Sequence, residues 1–283
     1  MTTERLNLLF PQWQGSGTDN PLFYAANVLA RSCPDIDFTP VPVPETQHLT
    51  THHGILGYDS ILSQMEKAAD IVTEAQPGFI LTIGGDCGIE PIPVSFLNRY
   101  YKGEFTLVWL DAHADLNTPA TSPSGHFHGM PLATLLGEGD PAICSTCCST
   151  LSPEQIILAG VRALDPAESD FIQSQKLTRL GVQEMEKDHG ALAKAIQEKG
   201  NDPVYIHIDM DVLDPKAYPY IKHPEPRGLM PHTLGAIIDE IKASCTITGL
   251  GLMEFTLDAV ESENTTPPES LAMVRTLMDK LPV

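Results

Sequence analysis

The chain has 283 residues, enough for one sizeable α/β domain or two small ones. Its net charge is −20, from 37 acidic against 17 basic residues. This balance argues against nucleic acid and anionic membranes as partners, because both require basic patches, whereas it suits a cationic substrate or a bound metal.

The beginning of the chain lacks the basic start and long apolar stretch of a signal peptide. No apolar run reaches the roughly 18 residues that span a bilayer, so we expect a cytoplasmic protein without membrane partners. The six cysteines show no disulfide framework, and the cytosol would keep them reduced. Cys144, Cys147 and Cys148 form a run with no second pair to complete a zinc site, so we interpret the run as a loop.

Short apolar runs alternate with helical stretches along the chain. Buried strands are predicted at Leu6–Phe10, Phe79–Ile83, Thr106–Leu110, Gln155–Leu158, Val204–Ile208 and Ile247–Met253. Helical periodicity covers Pro21–Arg31, Tyr58–Ala75, Gly190–Lys199, His232–Ala243 and Glu269–Leu281. This alternation predicts an α/β fold in one domain, residues 1–283, with a mostly parallel sheet covered by helices on both faces.

Two stretches predict long functional loops. Asn117–Gly129 is rich in Thr, Ser, Pro, Gly and His, and Pro215–Pro231 contains too many prolines for regular structure. In an open α/β sheet, the loops that leave the carboxyl ends of the strands build the site. We therefore expect both loops to border it.

The strongest chemical signal is Asp111-Ala112-His113-Ala114-Asp115, directly after a predicted strand. Residues two apart in an extended chain point the same way, so Asp111, His113 and Asp115 would converge beyond the strand end. Three unpaired ionisable groups so close together are costly unless a cation compensates them.

The pattern returns in Ile206-His207-Ile208-Asp209-Met210-Asp211, where Asp209 and Asp211 share a face and His207 lies two residues earlier on it. Each motif alone is also a common capping or turn device. Together the two motifs bring four carboxylates and one imidazole to two strand ends, which favours a metal site.

These motifs resemble the ordered signatures of the ureohydrolase superfamily, which contains arginases, agmatinases and formiminoglutamases. Gly84-Gly85-Asp86 comes first, the Asp-Ala-His-Ala-Asp motif second, and Asp209-Met210-Asp211-Val212-Leu213-Asp214-Pro215 third. The resemblance is closest to arginase-like enzymes. It implies a three-layer α/β/α sandwich, a fold shared with deacetylases, that holds two Mn²⁺ ions at the carboxyl edge of the sheet. It also implies homo-oligomers, either trimers or hexamers.

The resemblance assigns the metal ligands residue by residue. Asp111 and Asp209 would bridge the two ions, His113 and Asp211 would complete one ion, and Asp115 would bind the other. Carboxylate and imidazole ligands suit Mn²⁺.

Cys87 departs from the family pattern, because the family has a histidine ligand after Gly-Gly-Asp. Hydroxyarginine hydrolases also carry cysteine there. A thiolate would favour Zn²⁺ or Fe²⁺ over Mn²⁺, whereas a protonated thiol would leave this metal site weak or empty. A catalytically degenerate paralogue is the alternative.

The reaction that the resemblance implies is attack of a metal-bridged hydroxide on a guanidinium carbon, which releases urea or hydroxyurea. Asp115 would serve this chemistry through its metal. His128 resembles the histidine proposed as the proton shuttle of arginases, and Glu254 matches the guanidinium-binding glutamate. A carboxylate can pair with a guanidinium through two hydrogen bonds, which fixes the plane of the group.

The residues expected at the entrance of the site, here called the mouth, resemble those of arginase rather than agmatinase. Asn117 and Ser124 match residues that bind the substrate α-carboxylate, and Asp165 matches an acid that helps hold the α-amino group. His126 stands where arginases have asparagine and would touch the polar end of the substrate, while Ala163 replaces a second acid. The implied substrate is a guanidino amino acid, either arginine or Nω-hydroxyarginine. Loop capping is the structural alternative for these residues.

Three other functions remain open. Agmatine or formiminoglutamate would be hydrolysed by the same chemistry. Deacetylases use one zinc and a histidine pair, but this chain has additional metal carboxylates and lacks the pair. A metal-free binding paralogue is supported by Cys87 alone. The histidines expected at the surface are His52, His53, His189, His223 and His232.

Overall fold

The structure is a computed structural model that describes residues 4–17, 21–257 and 268–280. The strands are β1 (Arg5–Phe10), β2 (Thr39–Pro40), β3 (Thr51–His52), β4 (Ile55–Leu56), β5 (Phe79–Gly84), β6 (Thr106–Leu110), β7 (Ile156–Ala159), β8 (Thr178–Leu180), β9 (Pro203–Asp209) and β10 (Thr246–Met253). The helices are α1 (Pro21–Arg31), α2 (Tyr58–Ala75), α3 (Pro91–Tyr100), α4 (Pro131–Leu135), α5 (Pro141–Cys144), α6 (Pro166–Gln175), α7 (Val182–Lys187), α8 (Ala191–Lys199), α9 (Pro231–Ser244) and α10 (Pro268–Asp279).

Eight of these strands form one parallel sheet in the order β2-β1-β5-β10-β9-β6-β7-β8. The chain builds one flank of the sheet from β1 and β2 and the other from β7 and β8, so β5, β10, β9 and β6 lie at its centre. Carboxyl ends of parallel strands meet at one edge, and ligands of open α/β sheets bind there. The predicted α/β class with a mostly parallel sheet is confirmed.

Two apolar layers cover the two faces of the sheet. Side chains alternate along each strand, so Ile206 and Ile208 of β9 pack in the layer formed with α1 and α7 to α10. Tyr205 packs in the opposite layer, formed with α2 to α6. Trp109 of β6 belongs to this second layer and lies beside His207 in the strand register. The face that carries Tyr205 therefore also carries His207 and Asp209.

The predicted elements are present, and several others were missed. All eight residues Pro91–Asn98 of α3 are buried, so this helix shows no alternation between an apolar and a polar face. The strand β8 is only three residues long. The predicted helix end at Leu281 falls outside the described residues.

None of the helices within the described ranges combines the length and the apolar character needed to cross a membrane.

Candidate metal centre

The four central strands each deliver one acidic or thiol side chain to the carboxyl edge of the sheet. Cys87 begins a short 3₁₀ turn after β5, Asp111 follows β6, Asp209 ends β9, and Glu254 follows β10. Since these strands are neighbours, the four side chains meet although they are far apart in the sequence. All four are buried.

The Asp-rich motifs converge, but turns rather than extended chain bring their side chains together. Strand β6 ends at Leu110, Asp115 has a φ of 52°, and Met210–Val212 is a 3₁₀ turn. In each turn a carboxylate accepts from an amide two residues on. His113 N lies 2.6 Å from Asp111 Oδ1, and Asp211 N lies 2.7 Å from Asp209 Oδ1. The extended geometry expected for these residues was wrong, because each strand stops where its carboxylates begin.

One group of candidate ligands contains Asp111, His113 and Asp211, with one donor atom from each within 4.8 Å of the others. His113 Nδ1 lies 2.8 Å from Asp211 Oδ2 and 3.6 Å from Asp111 Oδ1. The amide of Ala112 donates to the other Asp211 oxygen at 2.9 Å, which fixes that carboxylate. The group offers oxygen and nitrogen donors.

A second group contains Cys87, Asp111, Asp115 and His207, all buried, with donor atoms that also lie within 4.8 Å of one another. Asp111 belongs to both groups: Oδ1 faces His113, whereas Oδ2 lies 3.6 Å from His207 Nε2. His207 was expected on this face from the sequence, but no role was predicted for it. Its position two residues before Asp209 was the available signal.

Asp209 connects the second group to Glu254. The thiol of Cys87 donates to Asp209 Oδ2 at 3.1 Å, and Cys87, Asp209 and Glu254 form a further cluster of possible ligands. Burial, together with the charges of Asp209 and Asp115, raises the pKa of the Cys87 thiol well above its usual value. A bound cation would oppose this effect, because coordination favours the thiolate.

The charges of this cluster fit a bound cation. Burial and the nearby Asp111 raise the pKa of Asp115, and burial with Asp211 raises that of Asp209. Burial likewise raises the pKa of Asp211 to about 7. Burial also opposes ionisation of Asp111, but His113 and His207 outweigh it and lower its pKa. One oxygen of Asp115 is buried and accepts no hydrogen bond. Carboxylate, imidazole and thiol donors in this arrangement match the requirements of divalent metals.

Glu254 is a buried carboxylate without hydrogen-bond partners. It is 1% exposed, has a φ of 59°, and neither side-chain oxygen accepts a hydrogen bond. Burial raises its pKa to about 8. The nearest imidazole nitrogen is His128 Nδ1, 3.4 Å from Oε1. Burial and His113 lower the pKa of His128 to about 4, so this imidazole is neutral near pH 7.

His223 was expected at the surface, and this expectation was wrong. Its ring lies 4.8 Å from that of His128, and its Nε2 is buried without a partner. The proline-rich loop folds back over the site, since the amide of Lys222 donates to the carbonyl of Glu254 at 3.0 Å. Burial and His128 lower the pKa of His223 to about 3. The position of His223 beside His128 depends on tertiary structure, and no local sequence pattern predicts it.

A cleft of about 440 Å³ opens above the ligand groups, and both predicted loops border it. The residues expected at the mouth line it: Asn117, Ser124, His126, Asp165. Asn117 Nδ2 donates to Asp165 Oδ2 at 2.8 Å. Glu168 was not predicted from the sequence. Its carboxylate accepts from the amides of Leu116 and Asp165, and so connects the segment after β6 with the start of α6.

The cysteine run lies apart from this site. Cys144 ends α5, and the run contributes to none of the ligand clusters found among the described residues.

In comparisons with known proteins, this chain matches arginases both in sequence and in structure. The sequence profile described as "Arginase family" matches residues 21–278. An arginase from Staphylococcus aureus is 29% identical over 252 residues, which cover 86% of this chain and 81% of that protein. The native arginase structure from Bacillus caldovelox superposes with a TM-score of 0.78 at 26% identity, covering 99% of this chain and 98% of that one. An Entamoeba histolytica arginase in complex with L-ornithine gives a TM-score of 0.85 at 20% identity, with 99% and 98% covered.

Proposed function

Since this chain belongs to the arginase family and is therefore a ureohydrolase enzyme, we propose that its substrate is a guanidino α-amino acid. Arginine or Nω-hydroxyarginine is hydrolysed at the C–N bond of the guanidino group, which releases urea or hydroxyurea. The other product is the corresponding amino acid, in which an amine replaces the guanidino group.

The observation that carries this proposal is the unpartnered carboxylate of Glu254. A buried carboxylate without a hydrogen bond is costly, and its pKa of about 8 reflects that cost. A guanidinium offers a positive charge and paired N–H donors of matching geometry, so its arrival would ionise Glu254 and satisfy both oxygens. Glu254 lies beside Asp209 and His128, so the guanidinium would be held next to the ligand groups.

The protein would hold two divalent cations with the two groups of ligands. Asp111 would contribute to both sites, because it presents one oxygen to each group. Asp209 lies close to Cys87 on one side and to Asp211 on the other, which suits the same role. The chemistry that the cations supply is activation of a water molecule for attack on the guanidinium carbon.

His128 is proposed to move the proton. Its imidazole is neutral, with Nδ1 facing Glu254, so it can accept a proton when water adds to the substrate. It can then deliver that proton to the leaving amine nitrogen. A neutral resting histidine suits a shuttle better than a fixed cation, which would repel the guanidinium.

The mouth of the cleft supports an amino acid rather than a simple amine. Asn117 and Ser124 offer polar groups for a carboxylate, whereas Asp165 offers a charge for an ammonium group. Agmatine carries the amine but lacks the carboxylate. It would therefore keep the contact with Asp165 and lose those with Asn117 and Ser124.

The test compares arginine, Nω-hydroxyarginine and agmatine on the purified enzyme loaded with Mn²⁺, Co²⁺ or Zn²⁺. We expect kcat/KM for one of the amino acids to exceed that for agmatine by at least about tenfold, roughly 1.4 kcal/mol. Faster turnover of agmatine would exclude an amino acid as the preferred substrate. No urea or hydroxyurea release from any of the three, with metal bound, would indicate a degenerate paralogue.

A further inference from the structure

We propose that His207 is a metal ligand, and that His207 and Cys87 together give one of the two cation sites a nitrogen–sulfur donor pair that the other site lacks. The inference deepens the proposed function, because it assumes that cations occupy the two ligand groups. It concerns which atoms hold one of them and which metals that site prefers.

The distances around His207 fit a shared cation better than direct hydrogen bonds. Nε2 lies 3.7 Å from Cys87 Sγ and 3.6 Å from Asp111 Oδ2. An imidazole–carboxylate hydrogen bond is shorter, at about 2.7–3.2 Å. Ligands about 2.0–2.3 Å from a tetrahedral ion are separated from one another by about 3.3–3.8 Å. With Asp115, these atoms supply four donors to one position.

The opposite side of the His207 ring is fixed so that Nε2 is available. Nδ1 lies 3.0 Å from Glu90 Oε1, and Tyr205 donates to Glu90 Oε2 at 2.8 Å. A proton on Nδ1 donated to Glu90 leaves the lone pair of Nε2 directed at the ligand group. Metal-binding histidines are commonly held by a carboxylate in this way.

Packing fixes the orientation of the same ring. His207 stacks on Trp109 of the adjacent strand β6, with ring centroids 3.6 Å apart and planes inclined by 15°. On its other side, the register partner in β10 is Gly251. A Cβ on Gly251 would lie 1.9 Å from Glu90 Oε1, so this position must be glycine to accommodate the carboxylate that holds His207. The ring is therefore constrained on both sides and at Nδ1.

The two ligand groups consequently differ in chemistry. His113 and Asp211 provide only nitrogen and oxygen on their side, whereas Cys87 adds sulfur on the side of His207. Thiolate and imidazole donors favour Zn²⁺, Fe²⁺ or Co²⁺, and carboxylate-rich sites accept Mn²⁺. We expect the two positions to retain different metals when both are offered.

The test is a Co²⁺ titration of the metal-free protein, followed by absorption spectroscopy and calorimetry. Wild type should bind two equivalents and show a thiolate-to-cobalt charge-transfer band in the near ultraviolet. His207→Gln should keep one equivalent and bind the other at least about a hundredfold more weakly, a loss as large as those seen for residues that only orient ligands. Cys87→Ser should lose the band.

His113→Gln is the matched control, since it removes an imidazole from the other ligand group. It should weaken one equivalent but keep the charge-transfer band. Tyr205→Phe provides a graded control, because it removes only one hydrogen bond to Glu90 and should weaken the sulfur-containing site by about tenfold or less.

A buried histidine that serves only the core would give a different result. In that case His207→Gln would lower the thermal stability of the metal-free and cobalt-loaded proteins equally, and would leave two equivalents with wild-type affinity. That result, or a wild type that binds no Co²⁺ or shows no sulfur band, overturns the inference.

Should His207→Gln fail to fold, X-ray absorption of the Zn²⁺-loaded wild type decides the question. We expect one sulfur and two imidazoles for every two zinc ions, and a single imidazole would contradict a role for His207. None of these measurements uses turnover. An enzyme inactive on guanidino compounds but with this metal signature would refute the proposed function and leave this inference intact.

Discussion

The floor of the cleft and its mouth are built in different ways. The floor consists of side chains at the ends of four central strands, such as Asp111 and Asp209, which are 0% and 4% exposed. The mouth consists of loop residues such as Ser124, which is exposed, and His126, which is half-buried. The sheet therefore positions the candidate metal ligands, whereas the mouth is formed by loops, which tolerate substitution more readily than strands do.

The two regions also differ in electrostatic cost. Ionisation of the floor carboxylates is costly, as the raised pKa values of Asp115 and Asp209 indicate, so bound cations would stabilise the floor. Polar groups at the mouth satisfy one another, as Asn117 and Asp165 do, or remain hydrated. Changes to the floor should therefore have large effects on metal binding and turnover, whereas changes to the mouth should alter selectivity by small factors.

The largest expected effect follows Asp209→Ala, which removes a carboxylate placed between the two ligand groups. We expect kcat/KM to fall by at least about a thousandfold, roughly 4 kcal/mol, together with loss of bound metal. Metal analysis and a urea assay measure both quantities. Asp170→Ala, at an exposed position of α6, is the control and should change neither. Full turnover with full metal content in Asp209→Ala would exclude the assignment of Asp209 as a metal ligand.

A second large effect is expected for Glu254→Gln, which keeps the size of the side chain but removes its charge. Loss of a buried charge pair with the guanidinium should lower kcat/KM by about a hundredfold, roughly 2.7 kcal/mol. Metal content should stay at the wild-type level, which separates this variant from Asp209→Ala. If turnover stayed close to that of wild type, Glu254 would not bind the substrate.

The floor should also make the metal-free protein sensitive to pH. Burial raises the folded-state pKa of Asp211 to about 7 and that of Glu254 to about 8, whereas unfolded carboxyls ionise near pH 4. Below about pH 6.5, the usual pKa of histidine, His128 and His223 have the opposite effect, because burial lowers their folded-state pKa values to about 4 and about 3. Above that pH the folded chain binds more protons than the unfolded chain, so its free energy of unfolding falls as pH rises to about 8. We expect a loss on the order of 3 kcal/mol between about pH 6.5 and pH 8 in urea denaturation.

Metal should reverse this trend, because cations bind the deprotonated ligands and therefore bind more tightly as pH rises. The same denaturation series with saturating Co²⁺ is the comparison. A metal-free protein that is equally stable at about pH 6.5 and pH 8 would show that the floor carboxylates do not titrate in this range.

The difference between the floor and the mouth also explains how much of the site could be predicted from the sequence. The floor carboxylates could be predicted, since Asp111 and Asp209 follow apolar runs and each begins a motif with acids or imidazole two residues apart. His207 was harder to assign, because a histidine within a strand is an ordinary core residue until Cys87, 120 positions away, is seen beside it. Helix α3 was missed because a fully buried helix has no polar face.

The roles of two residues near the mouth could not be predicted from the sequence, because long-range contacts place them there. Glu168 binds amides from two segments, and one of them, Leu116, is 52 positions away. His223 enters the site only because the proline-rich loop folds back onto Glu254. Local spacing carries information about a strand and the turn after it, but not about where a long loop returns.

The smallest expected effect belongs to the mouth. Ser124 is exposed, and its hydroxyl accepts from the amide of His126 at 3.2 Å, so Ser124→Ala should leave stability and metal content unchanged. If the hydroxyl binds the substrate carboxylate, the variant should lower kcat/KM for arginine by about two- to fivefold, roughly 0.5–1 kcal/mol, and leave agmatine unaffected. The informative quantity is thus the ratio between the two substrates. Ser122→Ala is the matched control, because Ser122 Oγ accepts from the amide of Gly125 at 3.0 Å and holds the same loop. A loop that merely loses its shape should change turnover of both substrates in either variant. An arginine-to-agmatine ratio that Ser124→Ala leaves at the wild-type value would remove Ser124 from the carboxylate site.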